Sequence, residues 1–182
     1  MIRTPRSIAM AAVVLAAAIS ASCFNPVHSD DVAALGGETS GVREGPTHRP
    51  GQPCLVCHGS DGPGSPEFEI AGTIYEYRDV PSGGVGGVKV QISDSSNPPK
   101  TVTLESNRAG NFYLEKKRAS FYYPLTVELS DSRIIDAPAG TKSMITPIGR
   151  RGDCSFCHVN NLNPADKTTH MPHVYLNLAP PK

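Results

Sequence analysis

FEIAGTIYEYRDVPSGGVGGVKVQI, residues 68–92, decides the fold. Phe68, Ile70, Gly72 and Ile74 occupy alternate positions, and so do Val88, Val90 and Ile92. Alternation with a period of two places one set of side chains on one face of an extended chain, which predicts half-buried strands. Pro81-Ser82-Gly83-Gly84 is the turn signal between them. Further along, the pattern repeats in Val102 and Leu104, in Phe112 and Leu114, and in Leu125, Val127 and Leu129. Asp94 to Pro99, Asn107 to Asn111 around Gly110, and Lys116-Lys117-Arg118 separate these runs. Five or more short strands joined by short turns predict a mainly β fold, a small antiparallel β-sandwich.

Composition sets the scale. The chain has 182 residues, of which 38% are apolar, with no Trp and with 17 Gly and 17 Pro. Loops therefore take a large share, and the core is small or is completed by something other than protein. Lys and Arg number 17 and so do Asp and Glu. Without Arg3 and Arg6 of the leader described next, fifteen basic residues face 17 acidic ones. That balance argues against a nucleic-acid-binding surface.

Residues 1–22 read as an export signal: Arg3 and Arg6, an apolar run from Ile8 to Ile19, then Ser20-Ala21-Ser22 directly before Cys23. The run is too short to span a bilayer as a helix. The Cys after small residues resembles the signal of bacterial lipoproteins, although Ser20 stands where Leu is usual. The resemblance implies a lipid on Cys23 and attachment at the periplasmic or outer-membrane surface. Ordinary cleavage leaving a free Cys23 stays open. Residues 23–50, rich in Gly, Pro, Thr and charge, read as a flexible tether.

The same pentapeptide pattern stands on each side of the β-region: CLVCH, Cys54 to His58, and CSFCH, Cys154 to His158. Cys-x-x-Cys-His is the attachment sequence of c-type haem. Two thiols three residues apart can form thioethers with the two vinyl groups of one porphyrin, and the next residue offers an imidazole to the iron. Segments 51–66 and 139–182 are therefore expected to be two loop-built haem c segments flanking a β-unit at 67–138. Cys54, Cys57, Cys154 and Cys157 would hold two covalent haems, with His58 and His158 as proximal ligands. Three other readings compete: a four-thiolate zinc site, a thioredoxin-like dithiol and structural disulfides. None of them needs a His at both matched positions.

The second axial ligand of each iron is left open, since any His or Met brought to the opposite face will serve. His48 and the more distant His28 are candidates for the first site. Met144, His170, Met171 and His173 are candidates for the second, with His173 favoured by the apolar Val174-Tyr175-Leu176 that follows.

AGTIY at 71–75, GVKVQI at 87–92 and SNRAGNFYL at 106–114 together resemble the carboxypeptidase regulatory-like, prealbumin-type β-domain. Such modules are structural or adhesive, so the resemblance implies a fold and little chemistry. With the two pentapeptides, the chain is similar to exported dihaem lipoproteins of Gram-negative bacteria. That implies one-electron transfer between redox partner proteins, without catalytic residues. An adhesion or scaffold module with structural Cys pairs, and a haem peroxidase or sensor with an open iron position, are the alternatives. Self-association through stacked haems also stays open. If every strand reverses direction, an even number between the motifs brings them to one end of the sandwich and an odd number separates them. The sequence does not fix that number, and the expectation is a cluster at one end.

Overall fold

A computed structural model describes residues 26–38, 41, 43–78, 83–158 and 171–180. The leader and Cys23 lie outside the described residues, as does His170. Among the described residues, eight strands form two four-stranded sheets. β1 (Phe68–Tyr77), β4 (Asn111–Glu115), β7 (Gly152–Asp153) and β8 (Val174–Asn177) make the first sheet. β2 (Lys89–Ser93), β3 (Thr101–Glu105), β5 (Thr126–Ser130) and β6 (Thr141–Ser143) make the second, in the order β3-β2-β5-β6. The β-sandwich expected from the alternation is the observed architecture, and all five runs of alternating residues are strands.

The core lies between the sheets. Ile70, Ile74, Phe112 and Leu114 on the first sheet meet Val88, Val90, Ile92, Leu125 and Leu129 on the second. Ile70, Ile74, Val88, Val90, Ile92 and Leu125 are completely buried, and each such side chain contributes about 1.5–3 kcal/mol. The loop after β2 is organised by Asp94, whose carboxylate accepts from the Ser96 hydroxyl and from the N–H groups of Ser96, Lys100 and Tyr122. The Ser96 hydroxyl, and then those amides, hold this acid well below the usual carboxylate range.

β1 is the strand that positions everything else. It is buried on both faces, since Ala71, Thr73 and Tyr75 are buried as well as Ile70 and Ile74. Its outer face is covered by residues 45–58. The Gly51 N–H donates to Thr73 Oγ1 at 2.8 Å, Thr73 Oγ1 donates to Asn111 Oδ1 at 2.8 Å, and Asn111 Nδ2 donates to the carbonyl of His48 at 2.9 Å. Part of the stretch expected to be a tether is thus docked on the sheet, because a buried Thr–Asn pair needs partners there. A helix, α1 (Pro26–Ala34), also falls inside that stretch. The Arg49 guanidinium ties the chain after α1 to this segment, donating to Glu38 Oε1 and to the carbonyls of Leu35 and Gly36.

Seven described strands separate the two pentapeptides, an odd number, yet both pentapeptides pack against β1. An odd count still brings both to β1 because β7 runs parallel to it, pairing Gly152 with Ile70 and Asp153 with Ala71. β8 runs parallel to β1 along the same edge, pairing Val174 with Ile74. Only Gly72 and Thr73 lie between these registers on β1, while residues 154–173 lie between them in the chain. The second pentapeptide is an excursion from what is otherwise one edge strand.

Candidate haem-attachment sites

Both pentapeptides form a single helical turn: α2 (Cys54–His58) and α3 (Cys154–Cys157), the latter continued by the His158 N–H donating to the Cys154 carbonyl at 2.9 Å. One turn is too short to be stable alone. Each is held by what precedes it, Pro53 and the docked Gly51 in one case and β7 in the other. At Gly72 the approach is close: a Cβ there would stand 2.7 Å from Cys154 Cβ and 3.0 Å from the Phe112 ring. The absence of a side chain on this residue of β1 lets α3 sit against the strand.

Cys54, Cys57 and His58 line one cavity of about 660 Å³, and His48 lines it too. That volume lies within the range of cofactor pockets. Phe68, Phe112, Tyr113 and Leu35 supply apolar walls. The imidazole of His58 is fixed twice over. Its Nδ1 lies 2.8 Å from the Pro66 carbonyl, and because a proline carbonyl can only accept, Nδ1 carries the proton. Nε2 is then the nitrogen with a lone pair to give, the arrangement that orients a metal-ligating imidazole. Its ring stacks on Phe68 at 4.2 Å and 13°, and Phe68 stacks on Tyr113 at 4.6 Å, which holds the ring plane. Gly64 leaves room for this, since a Cβ there would come within 3.0 Å of the same ring.

His48 lies with its ring centre 5.9 Å from that of His58. Two imidazoles bound to one ion from opposite sides, with metal–nitrogen bonds of about 2 Å, have centres about 6 Å apart. Both rings border the cavity lined by Cys54 and Cys57, so His48 stands where it would face a group held by that motif. The Gly45 N–H donates to His48 Nδ1 at 3.3 Å. Ligation through Nε2 requires the proton on Nδ1, so metal binding gives up this long contact. His28 is half-buried on α1, which packs against α2.

The second pentapeptide repeats the first motif's lock. His158 Nδ1 lies 2.8 Å from the Pro172 carbonyl, so here too Nδ1–H donates and Nε2 keeps the lone pair. The chain returns to it through Met171, whose N–H donates to the Cys157 carbonyl at 3.0 Å. His173 is 8% exposed, packs against Tyr75 with ring centres 4.4 Å apart and planes tilted by 33°, and is hydrogen-bonded to the His158 backbone. Burial holds its pKa below the ordinary value, which keeps it a neutral imidazole, the ligating form. Met171 is exposed beside His158, with a short parallel bridge between the two residues. Met144 sits beside β5, its N–H donating to the Val127 carbonyl.

All four described cysteines are free thiols. Burial, and then the negative charge of Asp153, push the Cys54 thiol up to about 12, and the same two causes raise Cys154. A dithiol that exchanges disulfides has its thiolate favoured instead, so the arrangement does not resemble one. Among the described residues no three His, Cys, Asp or Glu side chains cluster as a metal site. An attached porphyrin asks less of the protein: two thiols and one or two axial side chains.

Asp153 links the two sites. Its buried carboxylate accepts from the Leu55 N–H at 3.1 Å, inside the first pentapeptide, and it immediately precedes the second. Sequence reasoning did not find this residue, nor Thr73, Asn111, Pro66 and Pro172. Two prolines at unmatched distances, eight and fourteen residues from their histidines, leave no shared signal. Comparison with known protein families, with curated proteins and with solved structures returns no match.

Proposed function

We propose that this chain is an exported dihaem c-type electron-transfer protein, anchored through Cys23 and exchanging single electrons with redox partner proteins. The observation that carries the reading is the first cavity, where Cys54, Cys57 and His58 share a space with His48, the two imidazole centres 5.9 Å apart. Haem bound there supplies a one-electron Fe(II)/Fe(III) couple. Cys54 and Cys57 would tether it, and His58 would offer Nε2 while the Pro66 carbonyl retains the Nδ1 proton. Phe68 and Tyr113 hold the plane of the His58 ring. Cys154, Cys157 and His158 repeat this chemistry at the sheet edge, with His173 within reach of the same segment. His48, as the second ligand of the first site, would favour electron transfer over peroxidase chemistry, which needs an open position.

The test is maturation in a host with haem-attachment machinery, read by intact mass and by the pyridine adduct. Two haems per chain are expected. Colourless protein of unmodified mass overturns the reading and leaves the adhesion or scaffold alternative. Carbon monoxide should not bind the reduced wild type but should bind reduced His48→Ala; binding to the wild type would favour the peroxidase or sensor alternative.

A further inference from the structure

The Asp153 side chain is completely shielded from solvent. A carboxylate so placed is costly unless its oxygens are satisfied. Oδ2 accepts from the Leu55 N–H at 3.1 Å and has Arg151 Nη2 at 3.7 Å, and the Cys54 amide also acts on the carboxylate. Oδ1 has no hydrogen-bond partner. A half-satisfied buried acid is a poor way to stabilise a sandwich, and an apolar residue would serve that end better. What this acid does reach is specific. It bridges 98 residues of chain, joining the backbone of one attachment turn to the residue before the other. It lies on the outer face of β1, because Asp153 pairs with Ala71, and the first pentapeptide covers that face. Cys154, next in the chain, reaches β1 at Gly72.

We propose that Asp153 is a positioning residue that clamps the first attachment turn to the strand leading into the second, so that the two haem groups stand in one fixed mutual geometry. The proposal rests on the dihaem reading. Without the clamp, α2 keeps its own contacts through Gly51 and Pro66 but is free to shift along β1. Asn at this position retains an oxygen that accepts from Leu55, whereas Ala and Ser do not reach it.

The experiment compares the mature wild type with Asp153→Asn and Asp153→Ala; Asp153→Ser replaces the Ala variant if that does not fold. Haem content is read by mass, haem–haem coupling by the two-signed Soret circular-dichroism band, and the clamp by hydrogen exchange of the Leu55 amide. Asp153→Asn should keep the coupled band and the amide protection. Asp153→Ala or Asp153→Ser should keep two haems, lose the coupled band, and exchange the Leu55 amide about tenfold faster. A dihaem wild type whose coupled band is absent, or is unchanged in Asp153→Ala, overturns the proposal alone. A wild type without haem overturns it together with the function beneath it.

Discussion

Asn111 offers the sharpest test of how the first site is held. Its side chain accepts from Thr73 Oγ1 at 2.8 Å and donates to the carbonyls of His48 at 2.9 Å and Pro46 at 3.3 Å, all from a residue only 7% exposed. Replacing it with Leu removes all three bonds and leaves the Thr73 hydroxyl and the His48 carbonyl to find other partners. At about 1 kcal/mol net for each bond, the loss is about 3 kcal/mol. The long Pro46 contact and the added apolar bulk reduce this to about 2 kcal/mol. For a chain of this size that lowers Tm by about 4–8 °C. Urea unfolding followed by circular dichroism measures it, with the slope against denaturant unchanged. Thr73→Val shares one of the bonds, so the double variant should lose less than the two single losses added. A loss under about 0.5 kcal/mol, or full additivity, would refute the claim that this network fastens residues 45–53 to β1.

The pKa of Asp153 is raised to about 6, by burial first, against the lowering effects of Arg151 and the Leu55 and Cys54 amides. The folded protein then holds a proton that the unfolded chain has released, so stability should fall by up to about 3 kcal/mol as pH rises from about 4 to about 6, then level off. Asp153→Asn should flatten that slope in urea titrations, and an unchanged slope would contradict the assignment. Gly72→Ala places a methyl against Cys154 and Phe112, and should cost about 1–3 kcal/mol by the same assay; a neutral result would mean that α3 does not need close approach to β1.

The sandwich was legible because its five long strands carry their burial pattern locally, residue by residue. β7 and β8 were not, because a two-residue Gly-Asp strand and the four residues Val174–Asn177 are too short to show a period. α1 reads as tether for a related reason: PVHSDDVAA has no apolar stripe, and what it packs against is set by distant residues. The attachment residues were legible because covalent chemistry demands a fixed local spacing. The axial pairing, the proline locks and Asp153 are contacts across the fold, and no spacing rule announces them.

The edge beside β1 has a consequence for how the chain could be rebuilt. Since β7 and β8 keep the register of a single strand, an extended link of two residues in place of 154–173 would join them without moving either. The second pentapeptide is in this sense a graft on a finished sheet. The first cannot be excised so cleanly, because its lead-in supplies the roof over Ala71, Thr73 and Tyr75, and removing it would lay an apolar face of β1 open to water.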